Sequence, residues 1–71
     1  MEEFFLTEEY IELIKLLKYL DIAPSGGYAK MMVENGEVRL NDNIEFRKRA
    51  KLRPGDVVEV DERRIMIVKQ E

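Results

Sequence analysis

Apolar positions change their spacing twice along the chain. The opening run EEFFL reads as a first strand. Apolar residues then recur at Tyr10, Leu13, Ile14, Leu17 and Leu20, a spacing that puts all five on one face of a helix over residues 10–20. Thr7 stands where it can cap that helix, and Glu8 and Glu9 would fill its first turn, where the helix dipole favours acids. Lys15 and Lys18 fall together, one turn apart, on the flank away from the centre of the stripe. The stretch DIAPSGG interrupts the pattern. Ser25 can cap a second helix running to about Glu34, with Ala29, Met32 and Val33 inward, Tyr28 at the margin, and Lys30 and Glu34 outward at i,i+4. Asn35-Gly36 supplies the stop, because glycine accepts the left-handed conformation that ends many helices. Two helices joined by so short a break should pack on each other.

Beyond Gly36 the period becomes two. Val38 and Leu40 share one face and Arg39 takes the other, NDN is a turn, and IEF resumes an extended run. Arg53-Pro54-Gly55-Asp56 fits a type II turn, with Pro at the second position and Gly at the third. VVEV is a strand, DERR a weak turn, and IMIV a last strand able to pair with VVEV. No repeat, linker or low-complexity segment intervenes. The predicted architecture is one domain over residues 1–71, a strand, two helices and a small mostly antiparallel sheet, hence α+β. Phe4, Phe5, Tyr10 and Phe46 are expected to serve its core.

Composition narrows the function classes. Hydrophobic residues are 45% of the chain, too many for a disordered one. No apolar run approaches the roughly 18 residues of a membrane span, and Met1-Glu2-Glu3 is unlike a signal peptide, so a cytoplasmic protein without membrane contact is expected. Cysteine and histidine are both absent. Disulfides, thiolate metal sites and thiol nucleophiles are therefore excluded, and the side chain best suited to proton transfer near neutral pH is missing. Ser25 and Thr7 are the only hydroxyl side chains of their kinds, with no His to activate either. Neither catalysis nor a metal or cofactor is expected.

Charge is the feature this bland picture does not absorb. Net charge is -3, yet Arg47, Lys48, Arg49, Lys51 and Arg53 put five cations into seven positions. Residues 15–56 hold nine Lys/Arg against six Asp/Glu, and the rest of the chain holds three against nine. Crowded cations repel one another unless scattered acids or a polyanion relieve them, so the segment reads either as a solvated loop or as a phosphate-binding surface. The nearest acids in sequence are Glu45 and Asp56. In PSGGYAK, Gly26 and Gly27 either shape a turn or leave the first N–H groups of the second helix open to a phosphate. Tyr19 projects to the Lys15/Lys18 side and is the candidate for stacking on a base, against partial burial beside a loop.

The order of these parts resembles the S4 RNA-binding domain. The matching positions are Leu13, Leu17, Ser25, Ala29, Gly36, Val38, Leu40, Asn41, Gly55, Asp56, Val58 and Val60. The stretches SGGYAK and EFRKRAKLRPGD are similar to those of small stand-alone S4-like proteins of the YaaA/YbcJ type. The resemblance implies an alpha-L motif that grips structured RNA. It implies RNA contact at Lys15 and Lys18, at Ser25, Gly26, Gly27 and Lys30, and at Arg47, Lys48, Arg49, Lys51 and Arg53. Two family features are absent: Gly26 stands where most members carry Arg, and YIELIK replaces an Arg-Leu-Asp element. The expected function is a non-catalytic module for structured RNA, ribosomal RNA or a ribosome-associated particle, with ribosomal proteins as further partners. The first rival is a protein-interaction adaptor that has lost RNA binding, favoured by Gly26 and the net negative charge. A DNA-binding accessory domain and a small enzyme are the others.

Overall fold

Seven- and nine-residue helices are too short to persist alone, since isolated helices need roughly 12–15 residues. Tertiary packing must hold them, and the computed structural model, which describes residues 1–71, shows what does. Its elements are β1 (Glu2–Leu6), β2 (Ile11–Glu12), α1 (Leu13–Tyr19), α2 (Gly26–Glu34), β3 (Arg39–Leu40), β4 (Asn43–Ile44), β5 (Lys51–Leu52), β6 (Val57–Val60) and β7 (Arg63–Lys69). Five strands form one sheet in the order β1-β7-β6-β3-β4, and β2 pairs separately with β5. Only β1 and β7 run parallel; every other pair is antiparallel. The fold is α+β, with the two helices of an alpha-L motif beside a mostly antiparallel sheet.

The core joins both helices to one face of the large sheet. Leu13, Leu16 and Leu17 of α1 and Ala29, Met32 and Val33 of α2 meet Leu6, Val58, Val60 and Ile67 in one buried apolar cluster. Val38, Ala50 and Leu52 close it from the connecting segments. The opposite face of the sheet has no covering layer.

Chain reversals follow local chemistry. After α2, Gly36 takes φ 74°, its N–H donates to the Val33 carbonyl and the Glu37 N–H to the Met32 carbonyl, both at 3.1 Å, so two free helix carbonyls are satisfied. Asp21 does the same after α1 with φ 58°. The β3–β4 and β6–β7 hairpins turn on Asn41-Asp42 and Asp61-Glu62, whose positive φ values match the right-handed strand twist. The turn at Arg53–Asp56 is as predicted: Gly55 has φ 99°, and the Asp56 N–H donates to the Arg53 carbonyl at 3.0 Å.

Three expectations are corrected. The first helix begins at Leu13 rather than near Tyr10, and Thr7 does not cap it. Ile11 and Glu12 are captured by β5 instead, and the Leu13 and Ile14 N–H groups donate to the Ala50 and Lys48 carbonyls at 2.9 and 3.3 Å. Backbone from a distant segment thus replaces the side-chain cap. The inward stripe of α1 includes Leu16, which the predicted stripe omitted, while Tyr10 is only half-buried. Phe5 and Phe46 lie outside the core, at 55% and 61% exposure. Phe5 is on the uncovered sheet face, and Phe46 follows a strand that ends at Ile44.

Candidate nucleic-acid interface

The basic segment is fixed along its length. Before it, the Glu45 N–H donates to the Val38 carbonyl at 2.9 Å. Midway, the carbonyls of Lys48 and Ala50 receive the first N–H groups of α1, and Ala50 is buried. Lys51 and Leu52 then pair with β2, the Leu52 side chain going fully into the core. After it, the Asp56 carboxylate accepts the Arg53 N–H at 2.8 Å. A segment that alternates buried anchors with exposed cations holds its charges at set positions without a helix or a long strand.

The fold also supplies acids that sequence distance conceals. Glu45 takes Arg47 in a two-pronged contact at 3.1 and 3.0 Å and accepts the Arg47 N–H at 2.9 Å. Those side-chain bonds hold the Glu45 carboxyl below its ordinary range and raise the Arg47 guanidinium. Arg49 reaches Glu12 at 3.3 Å, and Lys48 reaches Glu34 at 2.8 Å. Three of the five cations are therefore ion-paired, two of them to acids far away in sequence, beyond Glu45 and Asp56, the nearest acids along the chain. Glu34 is spent on Lys48 rather than on its helical neighbour Lys30. In two of these pairs the acid lies beneath and the cation above: Arg47 and Arg49 side chains are 76% and 78% exposed, those of Glu45 and Glu12 only 12% and 16%. Glu34, at 54%, is instead more exposed than Lys48, at 41%. Lys51 and Arg53 sit over the Tyr10 ring, 4.9 and 5.6 Å from its centre. Arg47, Arg49, Lys51 and Arg53 line one shallow depression floored by Ala50, and Lys48 is turned aside toward Glu34.

A second group gathers on α1. Lys15, Lys18 and Tyr19 line another open depression, and Tyr19 is 73% exposed with its ring edge-on to Phe4 at 5.3 Å. The Lys18 side chain extends to the start of α2, where a Cβ at Gly26 would lie 3.8 Å from its Cδ. Ser25 caps α2, its Oγ accepting the Tyr28 N–H at 3.1 Å. A Cβ at Gly27 would approach only that hydroxyl, at 4.0 Å, and neither glycine has positive φ. The fold therefore does not demand glycine at either place. Lys30 is exposed one turn further along α2. Lys15, Lys18, Lys30, Lys51 and Arg53 have no carboxylate partner.

Tyr10 and Phe46, expected in the core, both serve elsewhere: one carries two cations on its ring, and the other stands in the open. Phe46 could have been singled out by its position directly before Arg47. Nothing local marks Glu12 and Glu34 as partners of the segment. No group of acids is gathered so as to hold a metal, and no helix is long and apolar enough to cross a membrane.

Comparison with known proteins agrees with this architecture. The probable ribosome maturation protein RlbA of Bacillus subtilis (strain 168) is 43% identical over 56 residues, 79% of each chain. The solution structure of YbcJ from E. coli, with an alfaL motif involved in RNA-binding, matches at a TM-score of 0.72 and 32% identity, covering 96% of this chain and 87% of that one. The S4 domain family model spans residues 4–68, nearly the whole chain. With a family model over residues 4–68 and a relative 43% identical over 79% of its length, the chain belongs to the S4 domain family.

Proposed function

We propose that these 71 residues act as one non-catalytic module that binds structured RNA in the cytoplasm, with ribosomal RNA or a ribosome-associated particle as its target and ribosomal proteins as neighbours. The observation that carries this reading is the anchored basic segment, which presents Arg47, Arg49, Lys51 and Arg53 around one depression. Fixed cations engage a phosphate backbone with little further ordering cost, and they position the module while RNA shape selects the site. Lys15, Lys18, Lys30 and the α2 start at Ser25, Gly26 and Gly27 form the second contact region, where open N–H groups suit a phosphate. Membership of the family, the RNA-binding motif of YbcJ and the ribosome-maturation role of RlbA support the same assignment.

The test is titration of the protein with deproteinised ribosomal RNA and with duplex DNA across a range of salt. Strong salt dependence on RNA, with little competition from DNA, is expected. Changing Arg47, Lys48 and Arg49 together to Ala should weaken binding and reduce the salt slope by about 0.7 to 0.9 per lost phosphate contact. Unchanged affinity and slope in the folded triple mutant would exclude the segment from the interface. Crosslinking in cells would then name the RNA.

The fold adds one observation to those that favour the adaptor reading. Phe5, Val57, Met66 and Val68 lie on the uncovered face of the sheet, and a protein partner could cover them. Loss of RNA binding with retained co-purification of a protein would support it.

A further inference from the structure

Phe46 immediately precedes the basic segment and is 61% exposed. It is not a loose side chain. The backbone on one side is held by the Glu45 N–H to the Val38 carbonyl at 2.9 Å, and on the other by the Arg47 N–H to the Glu45 carboxylate at 2.9 Å. Its ring lies beside the left-handed turn that ends α2. A Cβ at Gly36 would stand 3.6 Å from Phe46 Cε1 and 3.8 Å from Cζ, and 3.7 Å from Cγ2 of Ile44. Ring, glycine and Ile44 thus form a small supported apolar shelf, with Ile44 itself 47% exposed. Beside it stand Arg47, whose side chain is 76% exposed, and Lys48, tethered to Glu34 near the end of α2.

Two other aromatic residues near cations already have contacts of their own. Tyr10 is half-buried under Lys51 and Arg53, and Tyr19 meets Phe4 edge-on. Burial does not account for Phe46, since most of it remains in water. Sequence-tolerant binding of unpaired nucleotides needs a rigid aromatic surface next to cations that take the adjoining phosphates. Phe46 with Arg47 and Lys48 meets that description.

We propose that Phe46 is a stacking platform for one unpaired nucleobase, while Arg47 and Lys48 hold the phosphates beside it. The module would then require a loop, bulge or end in its RNA as well as a phosphate surface. This rests on the RNA-binding reading above. A protein partner on the same shelf is the competing explanation, and the cations directly following Phe46 favour RNA.

The experiment uses a stem-loop RNA with 2-aminopurine in its loop and a fully paired RNA of equal length. Phe46→Ala and Phe46→Leu are compared with Phe46→Tyr, and melting curves establish that each is folded. Stacking on an aromatic ring implies that Phe46→Ala and Phe46→Leu both bind the stem-loop about 5- to 150-fold more weakly, with a much smaller change for the paired RNA. Phe46→Tyr should bind like wild type, and the 2-aminopurine signal should respond to wild type and Phe46→Tyr only. If Phe46→Leu binds the stem-loop as wild type does, the ring is not a platform. Undiminished binding by both non-aromatic variants would overturn the proposal and leave the shelf to a protein partner. Wild type failing to bind either RNA would overturn the RNA-binding reading, and this proposal with it.

Discussion

Asn41 and Asp56 stand fifteen residues apart in sequence and are joined side chain to side chain, the Asn41 amide donating to Asp56 Oδ1 at 3.0 Å. The same amide accepts the Val57 N–H at 2.9 Å through its oxygen, and the other Asp56 oxygen accepts the Arg53 N–H at 2.8 Å. One pair thereby ties the β3–β4 hairpin to the turn that ends the basic segment. It gives two residues of the family pattern a physical task. Asn41 also holds φ 51°, which asparagine tolerates better than most side chains. Asn41→Ala loses the hydrogen bonds and strains the turn, at a cost of about 2 kcal/mol. For a domain of this size that lowers the melting temperature by roughly 4–8 °C per kcal/mol. Asn41→Gly relieves the strain but not the bonds and should fall between the two. Equal melting of all three proteins would show that the tie contributes nothing.

Gly55 is a cleaner case of backbone strain. Its φ is 99°, yet a Cβ there would meet nothing within 4 Å. A Cβ at Gly55 therefore meets no neighbour, and the cost of Gly55→Val is chiefly conformational, on the order of 1 kcal/mol or more. Thermal unfolding should show a drop, and RNA affinity should fall with it because the turn positions Arg53. The Arg47/Lys48/Arg49 triple mutant should show a different combination, weak binding with no more loss of stability than surface changes usually bring, about 0.5 kcal/mol apiece. A Gly55→Val protein that melts like wild type would contradict the turn assignment.

Glu12 and Glu45 compete with any bound phosphate for Arg49 and Arg47. Glu12→Gln and Glu45→Gln together should tighten RNA binding and steepen its salt dependence, since two cations are freed and two negative charges removed. Weaker binding would mean that the carboxylates serve chiefly to aim the guanidinium groups.

The Glu45 contact carries a pH signature as well. Arg47 holds its carboxyl below the ordinary value of 4.5. The folded state thus favours the ionised form. The resulting stability is complete above 4.5, declines as pH falls toward the lower folded value, and is gone beneath it. Melting curves at successively lower pH should show a shallower acid decline for Glu45→Gln than for wild type. Identical declines would leave no stabilising role for that carboxylate.

At Gly27 the fold leaves room for a side chain. Alanine inside the first turn of α2 should raise stability by up to about 0.5–1 kcal/mol, because glycine is the more costly residue to order. RNA binding should nevertheless weaken if a phosphate approaches that backbone closely. A rise in melting temperature without loss of affinity would restrict the glycines to shaping the helix start.

Local pattern determined the body of both helices, the strand Val57–Val60, the Ile65–Val68 part of the last strand, the cap at Ser25, the stop at Gly36 and the turn at Gly55, because each depends on residues within a few positions of one another. Arg63 and Arg64 read as turn residues but belong to the last strand, which begins at Arg63. The crowded cations of residues 47–53 were equally legible as composition. Tertiary structure decided the rest. The start of α1 depends on carbonyls of Lys48 and Ala50, more than thirty residues away, so no local cap could reveal it. The partners of Lys48 and Arg49 come from α2 and from β2, brought close only when β2 pairs with β5 and the helices pack. Phe46 reads as a core residue until β4 ends at Ile44 and leaves its ring on Gly36. Local chemistry chooses turns and periods, whereas charge pairing and burial are properties of distances between segments, which exist only once the chain has folded.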